Sequence, residues 1–315
     1  MTEDTILITG AAGLLGSSVV RELLRQGAKR VVASDVVGDP NNVYDGLAQV
    51  DVERCDVSSF ESVLRVFDKH RPNAVYHLGA MLAPACDASP LAGIQANAMG
   101  TYYILEAARL FSVRQVLFAS SIGVMNTSSP EQKIIDDNCC TRPTTVYGAA
   151  KLFSENLGLT YKRLHGLDFR SLRLPALIGP YARSRGFAEW FNKSIEESVH
   201  GRPYSIFVAP RTQMDIIDVR DAARAFVQLA QAPLEQIRTV NYTVLGPTPP
   251  PSAGELAQAL NARICGANVD FKVDDQIQQL FDHSPLRDDH IARREWGWQH
   301  QVGFEQLLDD FMAQL

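Results

Sequence analysis

Short apolar runs alternate with amphipathic stretches along most of this chain. Thr5-Ile-Leu-Ile-Thr9 is an apolar run of strand type. In the stretch after it, to about Gln26, Val19, Val20, Leu23 and Leu24 recur at helical spacing. Arg30–Asp35 reads as a second strand and Gln49–Val52 as a third, and a helical stretch follows Ser58 to about His70. Asn73–His77, Arg114–Ala119 and Asp168–Leu174 read as further strands, and 91–111 and 145–164 as long helices. Residues 122–143 hold several Ser, Thr, Asn and Asp and two prolines, so they read as a loop. Six strands alternating with helices predict an α/β fold with a doubly wound parallel sheet.

The last third changes character. Gly179-Pro180, Gly246-Pro247 and Pro249-Pro250-Pro251 punctuate it. Asp218–Ala230 reads as one more sheet-packing helix. Ser252–Ala262 reads as a helix with Ser252 as its cap and Glu255 completing a capping box. Trp296-Gly297-Trp298 follows a charged helix, and these tryptophans are expected to pack in the core or at its rim. The expected division is a dinucleotide-type unit over 1–175, to which 211–245 returns. A smaller unit, made from 176–210 and 246–315, is expected to bind a substrate over the site.

Chemistry enters at the first turn. Gly10-Ala-Ala-Gly13-Leu14-Leu15-Gly16 lies between the first strand and the first helix. A helix start with bare glycine backbone offers N–H groups and a positive dipole end to a pyrophosphate. Gly10 lets the chain turn, Gly13 lets the phosphates approach, and Gly16 lets the helix pack on the strand. The second strand ends in Asp35, at the distance where an acid meets the adenosine ribose hydroxyls and repels a 2′-phosphate. Val36 and Val37 follow it, with no arginine to receive a phosphate. The expected sheet is therefore Rossmann-type and its cofactor NAD. Asp56 and Val57 either frame the adenine or, for Asp56, form only a turn acid. Leu78-Gly79-Ala80 stands at a strand's carboxyl end, where open α/β sheets bind ligands. His77 reads as a strand-end residue with its ring hydrogen-bonded, in preference to a catalytic role.

A second motif stands near the middle of the chain. Tyr147 and Lys151 are four apart on an expected helix, so they share a face. An ammonium beside a phenol lowers its pKa and makes tyrosine a usable acid or base. Ser120 and Ser121 close the preceding strand and offer a hydroxyl to hold a substrate oxygen. Pro175 starts an irregular segment placed to cover the nicotinamide.

Composition excludes several classes. The formal net charge of -6 gives no general attraction to nucleic acid or an anionic membrane. No apolar stretch reaches the length of a membrane span. The acidic start runs straight into the first strand and does not read as a signal peptide. Five cysteines, an odd number with no Cys-x-x-Cys, point to a reducing cytoplasm. Histidines are scattered, so no metal site is expected.

Taken in order, Gly10-x-x-Gly13-x-x-Gly16, Asp35, Asp56-Val57, His77-Leu-Gly-Ala80, Asn97, Ser120-Ser121 and Tyr147-x-x-x-Lys151 resemble the extended short-chain dehydrogenase/reductases, the NAD-dependent epimerase/dehydratase superfamily. The closer resemblance is to the short-chain-type L-threonine 3-dehydrogenases, through Ser120–Val124, Pro143–Gly148, Phe169–Pro175, Ala232–Ile237 and Arg294–Trp298. The resemblance implies that Ser121 is the catalytic serine, Tyr147 the acid/base, and Lys151 the ribose contact that tunes the tyrosine. It further implies a cofactor on Gly10, Gly13, Leu14, Leu15, Gly16, Asp35, Asp56, Val57, Leu78, Gly79, Ala80, Asn97, Tyr147, Lys151 and Pro175. Substrate is expected at Met81, Ser121, Ile122, Arg183 and Arg185.

Two departures fall on the substrate side. Met81 stands where the threonine dehydrogenases carry a serine, and Arg183 and Arg185 replace small hydroxyl residues. Arginine is shaped for a carboxylate or phosphate. The sugar-nucleotide arginine of the epimerases is absent at Gln213-Met214-Asp215. The expected activity is NAD-dependent oxidation of a secondary alcohol in a small polar, carboxylate-bearing substrate: a hydroxy acid, an amino acid such as L-threonine, or a sugar acid. Two alternatives stand beside it, a nucleotide-sugar epimerase or dehydratase that retains NAD, and a non-catalytic NAD-binding sensor. Helices 91–111 and 145–164 carry apolar residues on more than one face, and similar proteins pair these helices across a two-fold axis, so a homodimer is expected.

Overall fold

The computed structural model of the protein describes residues 5–39, 42–125, 132–180 and 189–315. A seven-stranded parallel sheet forms its centre. Numbered along the chain, its strands are β1 (Thr5–Thr9), β2 (Arg30–Asp35), β3 (Val50–Arg54), β4 (Ala74–His77), β5 (Gln115–Ser121), β6 (Asp168–Leu174) and β7 (Asn241–Thr243). Their order across the sheet is β7-β6-β5-β4-β1-β2-β3. Between β1 and β4 the direction of winding reverses, which opens a crevice at the carboxyl ends of the strands. Helices cover both faces, so β1 is buried along its whole length and reads as a continuous apolar run.

Helix α1 (Leu14–Arg25) turns Val19, Val20 and Leu23 onto this core. Four more helices complete the frame used below: α2 (Phe60–His70), α3 (Gly100–Leu110), α4 (Val146–His165) and α5 (Val219–Gln231). Helix α5 packs on α1 and buries Ala222, Ala223 and Phe226. A second apolar core gathers Ile178, Trp190, Phe191, Leu256, Leu308 and Phe311. It surrounds two short parallel pairs, 176–178 with 216–218 and 204–206 with 269–271. The chain then returns to the sheet, because Ile291, Ala292, Trp296 and Trp298 lie in the first core. The Ser252–Glu255 capping box is present in both directions.

Three features differ from the sequence reading. The sheet has a seventh strand, β7, whose three residues are too short for a periodic signal. The expected loop 122–143 contains a 3₁₀ turn at Ile122–Val124 and a short strand at Ile134–Ile135 that pairs with Leu286–Arg287. The long helix over 91–111 is built in sections: Pro90–Gly93 is α, Ile94–Met99 is π, and α3 continues from Gly100. Along these sections and α4, Leu91, Ile94, Tyr102, Leu110, Phe153, Leu159 and Leu164 are exposed to solvent.

Candidate active site

The glycine turn brings two strand ends into contact. Gly10 has φ +72°, and a Cβ there would stand 2.6 Å from Gly79 Cα. A Cβ on Gly16 would stand 2.1 Å from Gly10 O, so α1 meets the turn backbone to backbone. Gly13 caps α1 with no side chain bonded to the helix, which leaves the helix start open to an anion. This cradle fits a dinucleotide pyrophosphate. Leu14 lies beside the Gly179 position, across the mouth of the crevice, while Leu15 packs against the core.

Asp35 holds the ribose side together. Its Oδ2 accepts from Ala12 N–H at 3.0 Å and its Oδ1 from Val37 N–H at 3.3 Å. Two residues here carry no signal near Asp35 in the sequence. Buried Tyr44 donates to Ala11 O at 2.5 Å and braces the turn from below. Arg54, opposite Asp35 in the sheet register, donates to Val36 O at 3.1 Å. An arginine therefore does stand at this lip, brought by β3 from well along the chain. Asp56 uses Oδ1 to accept from Ser58 N–H and the Ser58 hydroxyl, the geometry of a turn acid, and Val57 packs against Gly100.

His77 is buried and fully bonded. Thr101 donates its hydroxyl to Asn97 O at 2.7 Å, so at 3.2 Å it accepts from His77 Nε2–H. The Nδ1 of the neutral ring is then left to accept from the Thr9 hydroxyl at 2.7 Å, and Thr9 Oγ1 also accepts from Gly79 N–H at 3.2 Å. The chain assigns the neutral Nε2–H tautomer. Burial, with the charge of Lys151 nearby, pushes the ring down to about 3. The Asn97 side chain clamps the Met81 peptide, accepting from its N–H and donating to its O, both at 2.8 Å. Asn97 thus shapes the Leu78–Met81 wall and keeps its own amide away from the crevice. Pro175 is buried at the bend between β6 and the strand at 176–178.

The end of β5 presents the catalytic candidates. Strand alternation sends the Ser120 side chain inward, where it donates to Glu155 Oε1 at 2.6 Å. Ser121 faces the other way, where its Oγ accepts from Gly123 N–H at 3.0 Å and lies near enough to Tyr147 to act on its phenol. Lys151 is buried and its Nζ donates to Ala119 O at 2.7 Å. That ammonium stands over the rings of Phe118 at 4.7 Å and Tyr147 at 5.5 Å. In the free protein burial opposes the expected lowering of the phenol: it pushes half-buried Tyr147 up to about 12, against a lowering from nearby Ser121, and pushes Lys151 down to about 7. Ile122 packs beside this group with Val124 and Ile135.

Spacing does not reveal the ions behind the site. Glu155, Arg173 and the Asp137 side chain are buried together, and Asp137 accepts from Thr243 of β7. Arg183 and Arg185 lie outside the described residues. Among the described residues no group of His, Cys, Asp and Glu is arranged to hold a metal, and no helix is long and apolar enough to cross a membrane. Cys55, Cys86, Cys139, Cys140 and Cys265 form no disulfide among the described residues.

Comparison with known proteins adds a family. The model of the NAD dependent epimerase/dehydratase family matches residues 6–246. The mitochondrial L-threonine 3-dehydrogenase of Sus scrofa is 28% identical over 311 residues, covering 97% of this chain and 81% of that protein. A GalE-like L-threonine dehydrogenase from Cupriavidus necator, solved in a holo form, superposes with a TM-score of 0.86 at 26% identity, covering 98% of this chain and 99% of that one. A monomeric L-threonine 3-dehydrogenase of metagenomic origin gives a TM-score of 0.86 at 28% identity, with 98% of each chain covered.

Proposed function

The chain belongs to the NAD dependent epimerase/dehydratase family, and from that premise we propose that it oxidises the secondary alcohol of a small, carboxylate-bearing substrate, with L-threonine the first candidate. The observation that supports this reading is that Lys151, on the helix that carries Tyr147, lies over the Tyr147 ring and is bonded to Ala119 O, two residues before Ser121 at the end of β5. The residues that would hold NAD are Gly10, Gly13 and Gly16 at the pyrophosphate, Asp35 at the adenosine ribose, and Lys151 at the nicotinamide ribose. Bound NAD supplies the acceptor for the carbinol hydride. Tyr147 would remove the hydroxyl proton, and Lys151 would hold the ribose and favour the phenolate by its charge. Ser121 hydrogen-bonds the same oxygen and offsets its developing charge. Met81 and Ile122 would line the apolar side of the substrate.

Incubating the protein with NAD and a panel of amino acids, hydroxy acids and sugar acids, L-threonine first, tests the reading. Stoichiometric NADH with a substrate that bears a carboxylate is the expected result. Protein that purifies with NAD attached and interconverts nucleotide sugars without net NADH would overturn it. On the substrate identified, Arg185→Ala, or failing that Arg183→Ala, should lower kcat/KM about tenfold, as a charged hydrogen bond contributes roughly 1.5–3 kcal/mol.

Assembly follows from the surface. The exposed apolar side chains on α4 and the helix before it support a homodimer through these helices. One relative is nonetheless named as monomeric. Light scattering should give a dimer mass that Phe153→Glu reduces to a monomer.

A further inference from the structure

Helix α4 carries a buried carboxylate one turn beyond Lys151. Glu155 is 1% exposed. Its Oε1 accepts from Ser120 Oγ at 2.6 Å and from Arg173 Nε at 2.9 Å, and its Oε2 accepts from Arg173 Nη2 at 2.8 Å. Arg173 reaches on to Asp137, 3.4 Å away, and Asp137 is held in turn by the backbone N–H and hydroxyl of Thr243. Two consecutive residues of β5 are thereby tied to α4: Ala119 O receives Lys151, and Ser120 donates to Glu155.

This arrangement poses an electrostatic problem at Lys151. A buried ammonium bonded to a backbone carbonyl has given up its hydration for a dipole, and it tends to release its proton. We propose that Glu155 is a positioning residue for the reaction: anchored by Arg173 and Ser120, it supplies the negative field that keeps Lys151 an ammonium ion beside Tyr147. This rests on the Ser121–Tyr147–Lys151 reading above.

The groups around Lys151 leave this role to Glu155. From β4 comes His77, which is neutral in its hydrogen-bonded chain. From the short helix Ala83–Ala88 comes Cys86, whose thiol burial pushes up and so keeps protonated. From α4 itself come Tyr147 and Glu155. Burial lowers Lys151, and Cys86 and then Glu155 oppose it; a thiolate at Cys86 is disfavoured by burial, which leaves Glu155, four residues on along the same helix, as the carboxylate among them. On its far side Glu155 faces Arg173 of β6, behind which stand Asp137 and Cys139. Burial pushes Asp137 up to about 6, so near neutral pH a second carboxylate backs Arg173.

NMR of carbon-labelled lysine in the free protein, with Lys151→Arg to assign the signal, reads the titration of Lys151 directly. Glu155→Gln is expected to lower its midpoint by about one pH unit or more, tenfold in the protonation equilibrium. Ser120→Ala keeps the carboxylate and removes one of its hydrogen bonds, and should leave the midpoint in place. An unchanged midpoint in Glu155→Gln overturns the proposal. So does an equal fall in Ser120→Ala, which would trace the effect to packing. If Glu155→Gln does not fold, Glu155→Asp keeps the charge and draws it back by one methylene, and the midpoint must then still fall, by less; an unchanged midpoint there overturns the proposal equally. In NAD-dependent turnover the acid limb of kcat/KM should move to higher pH in the same variant. The midpoint is read without NAD or substrate. A wild type inert toward every alcohol therefore sinks the dehydrogenase reading and leaves the Glu155 test standing.

Discussion

At one side of the crevice, β1 and β2 end in backbone: a glycine turn, an open helix start, and Asp35 tied to two amides. At the other side, β5 and β6 end in side chains, with Ser121, Tyr147 and Lys151 in front and Glu155, Arg173 and Asp137 behind. The first region offers shape and fixed backbone dipoles, which do not titrate. In the second, buried ionisable groups hold one another's charge, and burial moves Tyr147 and Lys151 in opposite directions. The difference teaches where pH acts on this protein. Cofactor recognition at the adenosine end should be insensitive to it across the neutral range, and turnover should not.

Tyr147→Phe tests the catalytic side most severely. It removes the proton acceptor and little volume, so kcat should fall by about 10²–10⁴-fold. Calorimetry should show NAD binding close to that of the wild type. Near-normal turnover would remove the distinction between the two regions. Asp35→Ala tests the other side. Losing charged hydrogen bonds to the ribose should reduce the preference for NAD over NADP about tenfold or more, equally at low and high pH. Arg54 sharpens this expectation, because it already stands at the lip and needs only the removal of Asp35 to meet a 2′-phosphate. A wild type that uses both cofactors equally would deny Asp35 its role.

The smallest effect concerns His77, which lies between the regions. Its folded pKa is depressed, to about 3, below the unfolded value. Its stabilising contribution is therefore complete above about pH 6.5 and is lost as pH falls toward the folded value, at about 1.4 kcal/mol per pH unit. His77→Asn should be less stable at neutral pH and lose less on acidification. Denaturant melts across that window, compared between the two proteins, check the slope; parallel curves would mean that His77 is not held neutral.

The dinucleotide region was legible because it is contiguous. Gly10, Gly13, Gly16 and Asp35 lie within one strand–turn–helix–strand unit, and their spacing is their geometry. The pair Tyr147 and Lys151 was legible for the same reason, being one helical turn. Glu155 was not, since an acid on a helix ordinarily faces water and its partner Arg173 arrives from another strand. Asp137 and Thr243 meet across 106 residues, and Tyr44 reaches Ala11 across 33, distances over which a single sequence carries no pattern. Spacing gives the proximity of Lys151 to Tyr147 but not the desolvation that raises the phenol in the free protein.

The π segment at Ile94–Met99 has a consequence for how this chain can change. A π turn amounts to one residue more than α geometry needs. Removing a single residue from 94–99 would therefore restore an unbroken α-helix with the flanking turns still in register, whereas removing one from α3 would rotate what precedes it by about 100°. What such a deletion costs is local: the position from which the Asn97 amide clamps the Met81 peptide. The helix thus carries its spare residue beside the crevice, and a deletion at 94–99 should spare the fold more than one in α3.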